Sequence, residues 1–296
     1  MNFELCKAQR KMISMHSIFS PDDTKFFTIM SSKVVVRDSK TLERIVEIPI
    51  KNAAFIHFSK DGKKIFINNT SGSVYIYETE LFKCEKVLRS TKARSLMDSD
   101  FFVDDAGVNL FVEMSSEIAL MTYIMDEDDW QTRENFAGSS VSFQTLNEDT
   151  VLFIVCQGEE GCYVVENKVN SGEFKKHRLS DAIEHKSFFL HEDKYYSYYN
   201  TLTQLKEVND ELVLGNDSVI DSINLVEDET IKDVLVASTI DLIVITTSNR
   251  TILTSKDFTV LQDIDVPNCM AATINHAEDL IIINSEDDSL AIKITH

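Results

Sequence analysis

The sequence is poor in the residues that interrupt regular structure and lacks the signals of secretion or membrane insertion. Only 3 prolines and 8 glycines occur in 296 residues, so no flexible or low-complexity linker divides the chain. No apolar run approaches the roughly 18 residues of a membrane span. The N-terminus M-N-F-E-L-C-K-A-Q-R-K has no apolar signal-peptide core. We therefore expect a cytoplasmic protein without a membrane segment.

Cysteine is also scarce, and its distribution fits a reducing compartment. The five cysteines are scattered and odd in number. Cys156 and Cys162 flank the loop Q-G-E-E-G and could face each other across a hairpin. Two packed thiols are favoured there over a disulfide or a metal site.

Known catalytic and nucleotide-binding motifs are missing. The chain contains no G-x-S-x-G elbow, no G-x-G-x-x-G or P-loop, and no H-E-x-x-H. From the sequence we predict no cofactor, no metal and no catalytic residues.

What the sequence does contain is an internal repeat. One stretch reads F-S-P-D-D-T-K-F-F-T-I-M from Phe19, and a second reads F-S-K-D-G-K-K-I-F-I-N-N from Phe58, an offset of 39 residues. Each predicts a strand, an acidic tight turn, a second strand, a polar turn, a third strand, a short turn and a fourth strand. Such a period is typical of propeller repeats.

The rest of the chain repeats this plan less faithfully. Second strands begin at seven places between Phe26 and Leu280, a mean spacing of about 42 residues. Unit five has two candidates for its outer strand, 211–214 and 219–226. The last unit has room for three strands only, and 3–8 can supply the fourth. We predict one domain over 1–296, with units at about 12–49, 52–88, 94–136, 141–179, 185–226, 232–266 and 269–296 plus 3–8.

This pattern resembles the WD40-like β-propellers, in a divergent form with bacterial-type repeats. The family's Trp-Asp pair is replaced here by Arg37-Asp38 and Tyr77-Glu78, so its tryptophan hydrogen-bond network does not carry over. The resemblance implies an all-β fold, a seven-bladed propeller of four-stranded antiparallel blades, closed by the N-terminal strand pairing with the last blade. It also implies a non-catalytic scaffold or adaptor for proteins.

Two other functions stay open. One is a propeller enzyme, lactonase- or lyase-like, with scattered Glu, Asn, Asp and His side chains at a channel mouth. The other is a purely structural blade assembly inside a larger complex. His16, His57 and His276 are placed in first strands, where hydrated side chains are favoured over a metal site. We expect the aromatic run 195–199 to pack between neighbouring blades and not to form a binding platform.

Acidic residues recur in the turn between the first and second strands. Turn chemistry explains one aspartate per turn, because its side chain bonds to nearby backbone N–H groups. Solubility alone would also explain the charge. We predict an acidic face on one side, made of Asp22, Asp61, Asp104, Glu148, Glu192, Asp241 and Glu278.

Basic residues concentrate in the first two units. Residues 1–95 carry a net charge of +7 and the remainder −27, out of a total of −20. This asymmetry predicts a basic contact sector. The alternative is a solvated surface whose charges only offset those of the acidic blades. Its partner would be an acidic protein segment or another copy's acidic sector, and the overall charge disfavours nucleic acid. The predicted contact residues are Arg10, Lys11, Lys33, Lys51, Arg89, Lys92 and Arg94.

Overall fold

The computed structural model confirms an all-β chain. It describes residues 1–10, 16–91, 95–96, 101–104, 107–113, 117–136, 140–145, 150–156, 161–168, 171, 173–180, 187–209, 211–286 and 288–295. Within these ranges the chain forms 29 strands, β1 to β29, and no helix. Accordingly, no helix among the described residues is long and apolar enough to cross a membrane.

The described strands form six sheets, which we divide into blades 1 to 7. The chain divides into two compact units, each described by itself. The first contains Met1–Ala53, Tyr196–Gln204 and Asp217–His296, and the second contains Ala54–Tyr195 and Leu205–Asn216.

The first unit contains three four-stranded blades. Blade 1 consists of β2 (His16–Phe19), β3 (Lys25–Met30), β4 (Lys33–Asp38) and β5 (Arg44–Ile48). Blade 6 consists of β23 (Ile231–Val236), β24 (Ile243–Thr247), β25 (Arg250–Thr254) and β26 (Val260–Asp265). Blade 7 consists of β27 (Cys269–Ile274), β28 (Leu280–Ser285), β29 (Asp288–Thr295) and β1 (Asn2–Arg10).

The N-terminal strand supplies the outer strand of the last blade. β1 pairs antiparallel with β29, from Asn2 opposite Thr295 to Arg10 opposite Asp288. The strand is longer than the predicted 3–8, and a bulge interrupts the register between Leu5 and Lys7. The predicted pairing of the N-terminal strand with the last blade is therefore confirmed.

Blades 2, 3 and 4 belong to the second unit, apart from Ala53 at the start of β6. Blade 2 consists of β6 (Ala53–Phe58), β7 (Lys64–Asn69), β8 (Val74–Glu78) and β9 (Cys84–Leu88). Blade 3 consists of β10 (Ser95–Leu96), β11 (Phe102–Val103), β12 (Val108–Glu113), β13 (Ile118–Ile124) and β14 (Asp129–Phe136), with β10 and β11 both paired to β12. Blade 4 consists of β15 (Ser140–Thr145), β16 (Thr150–Cys156), β17 (Cys162–Lys168) and β18 (Glu173–Leu179).

Blade 5 joins blade 4 in one eight-stranded sheet. Its strands are β19 (Ser187–His191), β20 (Lys194–Tyr198), β21 (Leu202–Val208) and β22 (Glu211–Val219). The outer strand β22 pairs in parallel with β18, with Leu179 opposite Leu212. The strand left undecided by the sequence thus starts at the first candidate and runs on to Val219.

The repeat is visible at the level of single hydrogen bonds. In blade 1 the Ser20 hydroxyl donates to Asp22 at 2.6 Å and accepts from the Lys25 N–H at 3.0 Å. In blade 2 the Ser59 hydroxyl donates to Asp61 at 2.7 Å and accepts from the Lys64 N–H at 2.9 Å. The shared F-S-x-D pattern therefore folds into one turn because serine and aspartate satisfy the exposed backbone N–H groups.

The cores lie on the second and third strands of each blade. Every residue of β24 is buried, as are Val35 and Val36 in β4, because blades cover these strands on both faces. Blades 6 and 7 share one core through Leu253, Ile281 and Ile283. In the second unit, blades 3 and 4 meet through aromatic side chains: the Phe111 and Phe153 rings are 5.2 Å apart.

Cys156 and Cys162 form a disulfide, so the expectation of two packed thiols is wrong. They lie directly opposite each other at the end of the β16–β17 ladder. Antiparallel pairing brings them to a Cα–Cα distance of 4.0 Å, within bonding reach of their sulfur atoms.

Candidate interaction surfaces

Three of the seven predicted basic contact residues have described side chains. Lys33 forms an ion pair with Glu47 at 2.7 Å, and Arg44 binds the same carboxylate oxygen at 2.7 Å. The hydrogen bonds from Lys33 and Arg44 lower the pKa of Glu47. Lys51 and Arg89 are exposed, each in the linker that follows the fourth strand of its blade. Lys51 and Arg89 are thus the exposed members of the described set.

The other four basic residues cannot be placed as side chains. Arg10 pairs through its backbone with Asp288, but its side chain lies outside the described residues. Lys11, Lys92 and Arg94 lie outside them entirely. A basic sector made of all seven stays a prediction.

Six of the seven predicted acidic residues are found in the turn between first and second strands. They are Asp22, Asp61, Asp104, Glu192, Asp241 and Glu278; Glu148 lies outside the described residues. Asp61 and Asp241 are exposed, whereas Glu278 is buried and Asp104 has only 4% of its side chain exposed. Whether these turns make one acidic face stays a prediction.

Most of these carboxylates are engaged locally. Burial raises the pKa of Asp22, but hydrogen bonds from Ser20 and Thr24 outweigh it and leave the pKa below its ordinary value. The Asp61 pKa is lowered by hydrogen bonds from Ser59 and Lys63. Asp104 accepts from the Arg133 guanidinium at 2.7 Å. For Asp22 and Asp61 these bonds lie within the turn and stabilise it.

Two acidic residues reach from one blade to the next. Asp23 accepts hydrogen bonds from the backbone N–H groups of His276 at 2.9 Å and Ala277 at 2.7 Å, and its carboxylate lies 2.8 Å from His276 Nδ1. Glu278 in turn reaches the β23–β24 turn of blade 6. These contacts between blades were not predicted from the sequence, although the Asp22-Asp23 doublet places one more acidic residue in the turn than the turn itself requires.

Glu278 is the more deeply buried of the two. It accepts from the N–H groups of Ser238 at 2.5 Å and Ile240 at 2.8 Å, and from the Thr239 hydroxyl at 2.6 Å. Burial raises its pKa, but these hydrogen bonds together hold it below the ordinary value. A buried carboxylate with this many donors is stabilised in its ionised form.

A surface depression lies in the second unit. It has a volume of about 380 Å³ and is lined by Ser59, Lys60, Asp61 and Asp104. It is wide open to solvent and mixes one lysine with two carboxylates that the turns already use. This arrangement suits a shallow contact better than a closed reaction site.

The histidines do not form a metal site among the described residues. His276 lies in the β27–β28 turn, so its predicted position in a first strand is wrong. His16 lies in β2, and His57 in β6 packs edge-on against Phe101 at 4.6 Å. In the described part of the chain, no three His, Cys, Asp or Glu side chains are grouped to hold an ion.

The aromatic run 195–199 is mostly interior. Tyr195, Tyr196 and Tyr198 are buried, and Tyr196 packs against Phe258 of blade 6 with ring centroids 5.3 Å apart. Tyr195 donates to Glu166 at 2.8 Å, and burial raises the pKa of its hydroxyl. Packing therefore explains the run, except for Tyr199, which is exposed.

Comparison with known proteins identifies the fold. No family model matches the sequence, and no curated protein matches it. Similar solved structures are the β-propeller domain of Cps50 (Swd1) from Myceliophteria thermophila, U3-55K, and the WD40 repeats of RRP9. Their TM-scores are 0.69, 0.65 and 0.64, at identities of 10%, 12% and 11%. Each alignment covers 99% of this chain and 97% or more of the other. The chain therefore has the fold of a WD40-type β-propeller.

Proposed function

We propose that this chain is a non-catalytic protein-interaction module, a scaffold or adaptor of the cytoplasm. The fold supports this proposal, because propellers present broad surfaces formed by many turns and linkers. Fold alone does not determine function, so the proposal depends on the surface. No arrangement of described residues favours the alternative of a small-molecule enzyme.

The observation that carries the proposal is the exposure of two basic residues, Lys51 in the first unit and Arg89 in the second. Both are exposed, and both lie in the linker after a fourth strand: Lys51 is three residues beyond the end of β5, and Arg89 directly follows β9. They belong to the segment 1–95, whose net charge is +7 in a chain of −20. Among the described residues neither Lys51 nor Arg89 forms an ion pair, so each can bind an acidic protein segment.

The test is charge reversal with a matched control. The variant K51E/R89E/K92E changes three predicted contact residues. The control K40E/K63E/K83E makes the same change in net charge at exposed lysines of other turns. Both are used as bait in pull-downs from lysate at low and high salt, beside the unmodified protein.

We expect the first variant to lose the captured partner and the control to retain it, with capture falling as salt rises. A partner that binds both variants equally, without salt dependence, would exclude the basic sector. Light scattering on the unmodified protein tests self-association through the same sector.

A further inference from the structure

The linker before blade 6 contains a tight turn that a buried ion pair holds in place. The Glu229 N–H donates to the Val226 carbonyl at 3.1 Å, and the Val226 N–H donates to Glu229 Oε2 at 2.9 Å. Asp228 within the turn has a φ of 64°, in the left-handed region. Backbone and side chain of Glu229 thus close the turn 226–229 together.

Two residues of blade 6 hold the Glu229 side chain in place. Its buried carboxylate accepts from Arg250 Nε at 3.0 Å and from the Thr247 hydroxyl at 2.5 Å. Arg250 also donates to the Asn224 carbonyl at 2.6 Å. Burial raises the Glu229 pKa, but the bonds from Arg250, Thr247 and Val226 outweigh it and lower the pKa. A charged, fully bonded anchor of this kind restricts the motion of the turn.

Two large side chains with apolar surface are exposed, one in this turn and one whose backbone bonds to the end of the linker. Val226, at the start of the turn, is 58% exposed, and Tyr199 is 54% exposed. The Tyr199 carbonyl accepts from the Ile231 N–H at 2.6 Å, which places Tyr199 next to the end of the same linker. Apolar side chains on a preorganised backbone lose little conformational entropy on binding.

The charges around them are mainly negative. Asp221, Glu227 and Asp228 are exposed. Lys232 is an exposed cation in the neighbouring β23, and Arg250 is already bound to Glu229 and to Asp263 at 2.8 Å. Among the described residues of this linker and its neighbour β23, three exposed carboxylates and one exposed lysine give a net negative surface. Such a surface repels nucleic acid and anionic lipid alike.

We propose that this linker surface, made of Tyr199, Asp221, Val226, Glu227 and Asp228, binds a lysine- and arginine-rich protein segment that carries an apolar residue. The apolar residue contacts Val226 and Tyr199, and the cations pair with the flanking carboxylates. This inference goes beyond the proposed function, because it uses another surface and the opposite charge of partner.

The probe is a fluorescein-labelled peptide K-R-K-L-K-R-K, compared with K-R-K-S-K-R-K by fluorescence anisotropy. The first variant is E227Q/D228N, in which asparagine tolerates the left-handed backbone. Its control is D126N/E127Q, the same charge change at exposed residues of the β13–β14 turn. The second variant is V226S. Thermal melting of every variant checks that the fold is kept.

We expect E227Q/D228N to weaken binding of the leucine peptide by about fivefold, since two exposed charge pairs are lost. D126N/E127Q should bind as the unmodified protein does. V226S should remove the preference for the leucine peptide over the serine peptide. These results would support the linker surface whether or not the basic sector binds anything.

Other outcomes would overturn the inference. An equal loss of peptide affinity in D126N/E127Q would mean that binding depends only on the net charge of the protein. Unchanged affinity in all variants would exclude the linker surface as the binding site. If the unmodified protein forms a dimer and E227Q/D228N is monomeric, the occupant of this surface is a second copy of the chain and not a basic partner. The variant K51E/R89E/K92E serves as a reference: it tests the proposed basic sector and should leave peptide binding unweakened.

Discussion

Glu278 binds Thr239 of the neighbouring blade through three hydrogen bonds. The Thr239 N–H lies 3.1 Å and 3.0 Å from the two carboxylate oxygens, and its hydroxyl donates to one of them at 2.6 Å. Asp23 makes the equivalent contact one blade further, with the backbone of His276 and Ala277. In the first unit, acidic residues of first turns therefore join blade 1 to blade 7 and blade 7 to blade 6.

The first prediction concerns Glu278→Gln and pH. The folded pKa of Glu278 lies below its ordinary value of 4.5. Its contribution is therefore fully present above about pH 4.5 and is lost as the pH falls through the lower, folded pKa. At pH 7 the variant should lose about 1–3 kcal/mol, the cost of weakening buried hydrogen bonds to a charged group. Urea unfolding at pH 7 and pH 3.5 measures the difference between variant and unmodified protein.

That difference should shrink at pH 3.5, because the carboxyl of the unfolded chain, with its ordinary pKa of 4.5, is mostly protonated there and the folded carboxylate loses part of its stabilising effect. Glu286→Gln, at an exposed position of the β28–β29 turn, is the control and should have little effect at either pH. A difference of equal size at both pH values would mean that Glu278 acts through its shape and not through its charge.

The local part of this arrangement could be predicted, and the long-range part could not. The Ser20-to-Asp22 bond lies within one turn, so its pattern repeats at Ser59 and Asp61 and is visible in the sequence. The target of Asp23 is 253 residues away. Only the placement of blade 1 beside blade 7 decides it, and no local pattern records that placement.

The same reason explains the other misses. The parallel pairing of β18 with β22 joins two blades whose strands each look like ordinary outer strands. In blades 1, 2 and 6 a bulge near the start of the outer strand disrupts the edge, which discourages further pairing. The described ladder between β17 and β18 shows no such shift, and β18 is the strand that accepts a partner. Bulges depend on register, which composition does not reveal.

The second prediction distinguishes two contributions of Asp23 to stability: the hydrogen bonds that its carboxylate oxygens accept, and its left-handed backbone conformation. Asp23 has a φ of 55°, a conformation that asparagine tolerates and alanine does not. Gly62 occupies the same position of blade 2 with a φ of 68°. Asp23→Asn keeps one oxygen acceptor and should destabilise less than Asp23→Ala. Asp23→Gly relieves the backbone but removes the acceptor, so it reports the hydrogen bonds to His276 and Ala277.

Thermal melting of these three variants gives the comparison. We expect the order Asn, then Gly, then Ala from least to most destabilised, each by an amount of about 1–3 kcal/mol. Equal melting of the glycine variant and the unmodified protein would show that the contact between the blades contributes nothing.

The third prediction concerns the disulfide between Cys156 and Cys162. It closes a loop with a sequence separation of 6 residues. A cross-link over so short a loop should stabilise by about 2 kcal/mol in the chain-entropy treatment. C156S/C162S should therefore melt below the oxidised protein and lose all dependence on a thiol reductant. Persistent reductant dependence in this variant would point instead to Cys6, Cys84 or Cys269, the free thiols.

The last prediction concerns the N-terminal strand. Deleting residues 1–10 removes β1 and leaves β29 as an unpaired edge in blade 7. It also removes Phe3, which packs against the core shared by blades 6 and 7. An exposed edge beside an opened core should lower the melting temperature strongly and promote aggregation.

Leu5→Ser is the control, because Leu5 is exposed and its backbone pairing to Ile292 is kept. Light scattering during thermal melting distinguishes the two: the deletion should aggregate well below the temperature at which Leu5→Ser melts. Identical melting of the deletion and the full chain would show that blade 7 is stable with three strands and that β1 is dispensable.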